Sequence, residues 1–401
     1  MRDVPYPELP SEEVAQRLSA LHSRLGSEDV DALVLVSDEN IAYYSGFRRT
    51  FPSPLDWFQA LVLTADGRSV FLAPSQNVNI VERTTHVDEV RAWGGPPDLG
   101  FPSSPVDGLS QLVSELLPSR SRIGLELGPG MIWQATVPEI DGVRAGLAGH
   151  ETVDASSLIW AQRAIKTPWE QATIRELGRI VAAAFQAGLE TIGEGVTERQ
   201  VLQRMIETSV SEGAFDTPLQ GSFMIRSGQG RYDMFCARPV DRVLQRGDQL
   251  MMDSGPSLRG YVSDIQRQAC IGSPSDLERS LFDRGRAGFD AALGAIRAGA
   301  PVRSIYEAAT EAMAEFPGGR THAHIRFMGH GIGLVNHEPP WLTDDSEAVL
   351  ESGMTLSIEI PSYDVPDYRV IGGFLEDMVL VTDDGHENFT AAVPHDLWIV
   401  E

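Results

Sequence analysis

The 401-residue chain is 42% hydrophobic and 22% charged, a balance that excludes a disordered or collagen-like polypeptide and fits two or three domains at roughly 150 residues each. Its net charge of −25 repels phosphate backbones and anionic lipid, so neither nucleic acid nor a membrane surface is an expected partner. With only Cys236 and Cys270 present, no disulfide framework or thiolate zinc cluster can form, and any metal must be held by oxygen and nitrogen. Apolar runs such as Ala32–Val36 are too short to cross a bilayer. The opening residues lack the apolar core of a secretory signal, and a cytoplasmic location is expected.

Val14, Leu18, Leu21 and Leu25 recur on one helical face after Ser11, and Ala32–Val36 reads as a buried strand. Residues 59–64 and 69–74 form a predicted hairpin around Asp66-Gly67. The Pro-broken stretch 46–57 carries Arg48, Arg49 and Trp57 and is a candidate contributor to substrate binding.

Near residue 165 the pattern changes to long helices. Thr167-Pro168-Trp169-Glu170 reads as a capping box with Pro at the first helical position, opening an amphipathic helix. The same device is expected at Thr197–Gln200 and at Ser304–Glu307. Residues 277–296 read as a further helix, weakened by Gly285, Gly288 and Gly294. The expected division is an α/β domain over 1–162 followed by an α+β domain over 163–401.

The second half contains an internal echo. Gly247…Leu250…Asp253 and Gly353…Leu356…Glu359 share the frame Gly-x-x-Leu-x-x-carboxylate, and each is followed by a glycine with a carboxylate four residues on, Gly260…Asp264 and Gly372…Glu376. Two hairpins then present two acids each, all four side chains able to converge because side chains alternate along a strand. Packed together, they would repel one another and lose their hydration unless cations neutralised them; two divalent ions balance four negative charges. A nitrogen ligand is expected from Gly329-His330-Gly331-Ile332-Gly333, whose glycines would let the backbone approach a metal, with His337 seven residues later.

These residues resemble the creatinase, prolidase and aminopeptidase P family of pita-bread metallohydrolases, on the stretches Met252-Asp253, Gly260–Arg267, Gly329–Gly333, His337-Glu338-Pro339, Ser357–Glu359 and Gly372–Asp377. Asn40–Gly46 is similar to the creatinase-type N-terminal domain. The resemblance implies a pseudo-two-fold catalytic domain and a pair of divalent ions (manganese, iron, cobalt or zinc) on Asp253, Asp264, His330, Glu359 and Glu376, which activate water for hydrolysis of a C–N bond. It further implies His337 as the group that hydrogen-bonds substrate or intermediate, and a homodimer in which Arg48, Arg49 and Trp57 reach a partner's pocket.

Three departures bear on the substrate. Cys236 stands where the peptidases carry a catalytic histidine, Arg326 where proline peptidases often carry another, and Phe374 where aminopeptidase P has an arginine. Arg326 can clamp a substrate carboxylate bidentately, and Cys236 is more naturally packing than nucleophile. The expected activity is hydrolysis of an amide or related bond in a small carboxylated or zwitterionic molecule, either an Xaa-Pro dipeptide or a compatible solute. Two alternatives stay open: a lyase of the dimethylsulfoniopropionate-cleaving type, for which Asn336 is a poor base, and a non-catalytic pita-bread binding module.

Overall fold

The computed structural model describes residues 9–49, 58–95, 97–214, 223–228, 230–231, 237–316, 327–364 and 371–401. The chain divides into two compact units, Met1–Gln162 and Arg163–Glu401.

The first unit runs α1 (Ser11–Ser27), β1 (Ala32–Leu35), α2 (Asp38–Ser45), β2 (Ala60–Thr64), β3 (Ser69–Pro74), α3 (Val78–Thr84), β4 (Glu89–Trp93), α4 (Pro105–Leu116), β5 (Arg122–Leu125), α5 (Val137–Gly146) and β6 (Glu151–Asp154). One six-stranded sheet of order β4-β3-β2-β1-β5-β6 results. The expected hairpin is β2–β3, with Gly67 at positive φ in its turn. Val34, Val62 and Leu72 pack with Leu109, Leu112 and Val143 of α4 and α5. Leu33, Leu61 and Phe71, on the opposite face, are equally buried, which is why β1 reads as an unbroken apolar run. Helix α6 (Ser156–Ala164) leads into the second unit.

That unit repeats one plan twice. A helix pair, α7 (Pro168–Thr191) and α8 (Glu198–Ser211), precedes the antiparallel strands β7 (Met224–Ser227), β8 (Gln249–Asp253) and, after the short hairpin β9 (Ser257–Leu258) and β10 (Tyr261–Val262), β11 (Arg267–Ile271). A second pair, α9 (Asp276–Ala295) and α10 (Arg303–Ala314), precedes β12 (Phe327–Gly331), β13 (Glu338–Thr343), β14 (Thr355–Asp364), β15 (Ile371–Val381) and β16 (His386–Asn388), and β17 (Trp398–Val400) returns to the first sheet beside β11. The sheets have orders β17-β11-β8-β7 and β13-β12-β14-β15-β16, and a backbone bridge between Gln266 and Glu376 ties one to the other.

Capping boxes open α7 and α8 as expected from Thr167 and Thr197. The one expected at Ser304 is absent: α10 starts at Arg303 and the Ser304 hydroxyl bonds back to the Pro301 carbonyl. Two boxes were not anticipated, Thr136 with Glu139 opening α5 and Ser275 with Glu278 opening α9. Glycine inside α9 costs roughly 1 kcal/mol relative to alanine, but a Cβ on Gly288 would meet Met313 Cγ at 2.7 Å and Ile360 Cγ2 at 3.1 Å. Close packing of α9 on α10 and β14 is the reason the sequence tolerates it. No helix among the described residues is long and apolar enough to cross a membrane.

Candidate metal centre

Strand alternation builds the site. Leu356, Ile358 and Ile360 of β14 and Leu375 and Val379 of β15 lie in one core with Phe289, Ile305 and Met313 of the helices. The opposite face of the same hairpin carries Glu359 and Glu376, which are direct cross-strand partners. Asp253 ends β8. Asp264, expected on a neighbouring strand, instead lies in an irregular link between β10 and β11, because the first hairpin is interrupted by the small β9–β10 turn.

The donor atoms of Asp253, Asp264 and Glu376 lie within 4.8 Å of one another, as do those of His330, Glu359 and Glu376, and those of Asp264, His330 and His337. His330 Nε2 is 3.9 Å from both Asp264 Oδ2 and Glu376 Oε1. Its Nδ1 is 2.9 Å from the Gly331 carbonyl; donation there leaves the Nε2 lone pair facing the acids. Three further side chains hold the carboxylates. Ser357 Oγ is 2.6 Å from Glu376 Oε1, Gln266 Nε2 donates to Glu359 Oε1 at 2.9 Å, and Asn336 Nδ2 donates to Asp264 Oδ2 at 3.3 Å.

Burial, reinforced by the charge of Glu359, pushes Asp253 up to about 7. Burial and the neighbouring carboxylates carry Asp264 and Glu376 well above the usual range, and burial raises Glu359. Burial, then the adjacent His337, pushes His330 down to about 3, and burial also lowers His337. Without cations, burial and mutual repulsion oppose ionising all four acids together. The donor set fits divalent ions on a second count: Asp264 Oδ1, His330 Nε2 and Glu376 Oε2 are buried without a hydrogen-bond partner, a state that costs several kcal/mol in an apolar setting unless something positive meets it.

The glycines around His330 are required by the sheet. Gly329 has φ +128° and faces the Ser357 carbonyl, while a Cβ on Gly331 would lie 2.7 Å from the Pro339 carbonyl carbon. Next to His337, Glu338 is buried and paired with Arg163 and, at 3.3 Å, with Lys166. It also accepts from the backbone N–H of Leu334 at 2.8 Å. Burial alone would raise its pKa, but the two cations outweigh this and hold it low. Behind Glu376, Arg267 donates to the Glu376 carbonyl at 2.7 Å and pairs with Asp377 at 2.6 Å. Sequence reasoning assigned no role to Gln266, Glu338 or Asp377, although each lies within two residues of a recognised motif residue.

Arg48 and Arg49 belong to the first unit, where Arg49 is paired with Asp38 at 3.1 Å. Trp57, Cys236 and Arg326 lie outside the described residues.

The two-unit fold with this donor set defines a metal-dependent hydrolase of the peptidase kind. Residues 172–383 match metallopeptidase family M24 and residues 17–165 match the creatinase/prolidase N-terminal domain. The chain belongs to metallopeptidase family M24. It is 26% identical over 378 residues to an uncharacterized peptidase of Staphylococcus aureus strain MW2, covering 93% of this chain and 98% of that one. Its fold is that of a prolidase from Thermococcus sibiricus (TM-score 0.83, 21% identity, covering 97% and 99% of the two chains) and of an Xaa-Pro dipeptidase from Bacillus anthracis (TM-score 0.79, 24% identity, covering 96% and 100%).

Proposed function

We propose that the protein hydrolyses the C–N bond of a small carboxylated substrate, Xaa-Pro dipeptides foremost and cyclic compatible solutes second, using two divalent ions held by Asp253, Asp264, His330, Glu359 and Glu376. The observation that carries this reading is the convergence of those five side chains with three of their donor atoms buried and lacking hydrogen-bond partners. The names of the structurally similar prolidase and Xaa-Pro dipeptidase support the substrate class. Oxygen donors with one imidazole suit manganese, iron, cobalt or zinc. Ions bound there supply Lewis acidity, acidifying water and polarising the substrate carbonyl.

The chain's own residues do the remaining work. Ser357, Gln266 and Asn336 fix the carboxylate orientations. His337, its ring centroid 4.4 Å from that of His330 and its pKa lowered by partial desolvation, donates a ring N–H to the oxygen that gains charge as the bond breaks. We further infer that Arg326 clamps the substrate carboxylate, that Cys236 lines the pocket, and that a cytoplasmic homodimer brings Arg48, Arg49 and Trp57 to the partner's site. Two observations weigh against the rival readings. The Asn336 amide donates to Asp264, which leaves it unsuited to abstract a proton in an elimination. The complete donor set speaks against a purely binding role.

Metal analysis of the purified protein, followed by assay of Xaa-Pro dipeptides, ectoine-like solutes, creatine analogues and dimethylsulfoniopropionate with each metal, tests the proposal. Amine release is expected, alkene release would establish the lyase, and a metal-replete protein inert on the whole panel would refute the hydrolase. H337A should lose about a hundredfold or more in kcat while keeping its metal content.

A further inference from the structure

Strand β7 sets a guanidinium on the acid face. Met224 pairs with Asp253 and Arg226 with Met251, so alternation projects Arg226, Met251 and Asp253 from the same side of the sheet. Arg226 is only 3% exposed. Its Nη2 lies 3.1 Å from Met251 Sδ, and its Cζ lies 5.2 Å from the centroid of the Phe374 ring. Phe374 shares its face of β15 with Glu376, two residues on, and meets Tyr363 edge-on at 5.5 Å. Tyr363 in turn shares its face of β14 with Glu359. The guanidinium is thus enclosed by residues that flank Asp253, Glu359 and Glu376. Asp253 is its same-face diagonal neighbour across the β7–β8 pair, a separation of about 7–8 Å at the backbone.

We propose that Arg226 is a resident cation of the metal centre, a positioning residue whose fixed charge competes with the divalent ion on the Asp253 and Glu359 side and so sets how tightly that ion is held. The inference rests on the reading of these acids as metal ligands. A guanidinium stays protonated at any working pH, so the competition is permanent. An apolar residue in its place would leave the acids on that side without a competing fixed charge. A guanidinium on the same face as the acids repels a divalent ion held among them, and in a partly desolvated site that repulsion alters binding by about tenfold or more.

The test is calorimetric titration of manganese into metal-stripped wild type, R226M and R226K at fixed pH and salt, with near-UV circular dichroism confirming that each variant is folded. R226M should bind manganese about tenfold more tightly than wild type, and R226K, which keeps the charge, should stay within about twofold of it. R226Q replaces R226M should the latter not fold. The proposal is overturned if the folded neutral variant binds manganese no more tightly than wild type, as a purely structural clamp between β7 and β15 would have it, or if R226K tightens as R226M does. A wild-type protein that takes up no manganese, iron, cobalt or zinc instead removes the ligand assignment itself, a result distinct from either.

Discussion

Replacing Glu338 with glutamine removes the one negative charge of a group formed with Arg163 and Lys166 but keeps its size. Glu338 is 1% exposed and its two partners 3% and 2%, so water cannot substitute for the lost charge, and two cations are left in a buried setting. Breaking a buried ion pair by removing one member costs about 3–5 kcal/mol. For a unit of this size each kcal/mol lowers the Tm by about 2–4 °C, giving a fall of about 6–20 °C. The carboxylate also accepts from the N–H groups of Leu334 and Val335, which pin the loop carrying Asn336 and His337, so E338Q should lose activity beyond what its stability loss explains. Scanning calorimetry of the metal-loaded wild type, E338Q, R163M and R163M/E338Q checks this. The double variant should be less destabilised than the sum of the singles. Because the folded pKa of Glu338 lies below its unfolded value, this stabilisation is complete above the usual carboxylate range and disappears as pH falls through the lower folded value; the comparison belongs at pH 7. A loss below about 1 kcal/mol for E338Q would show that the ion group contributes little.

Chelation should destabilise the protein more at pH 8 than at pH 5. Asp253, Asp264, Glu359 and Glu376 are raised in the metal-free fold, so their contribution is present below the unfolded carboxylate range and lost as pH rises through the folded values. Metals, which need the ionised forms, bind more tightly over the same span. Thermal melts with and without a chelator across that range test the sign, and a gap that narrows with pH would contradict it. G331A should cost about 2 kcal/mol or more and reduce metal uptake, since the new methyl would collide with the Pro339 carbonyl and shift His330. Unchanged metal content in a folded G331A would show that His330 does not depend on that backbone contact.

The fold was readable wherever a local rule had no competitor. The capping residues at Thr167 and Thr197, the Asp66-Gly67 turn and the alternation around Glu359 depend on near neighbours, and they sit where their local pattern puts them. Asp264 misled because the Gly-x-x-x-carboxylate frame carries no record of the β9–β10 hairpin that interrupts the first repeat. Ser304 misled because its hydroxyl found a closer carbonyl at Pro301. Gly285 and Gly288 counted against a helix because the packing that requires them comes from β14, β15 and α10, distant in sequence. The roles of Arg226 and Glu338 went unread for a related reason: a buried charge is announced only by its partners, and Arg163 lies 175 residues from Glu338.

The bridge between Gln266 and Glu376 joins the two halves of the second unit at the acid cluster itself, with the Glu376 backbone tied to one sheet and its carboxylate among the candidate metal ligands. Each half brings two of the four acids, so neither half alone holds the set. On the proposed assignment the chemistry belongs to the seam, and anything that pries the halves apart should release bound ions before it melts either half.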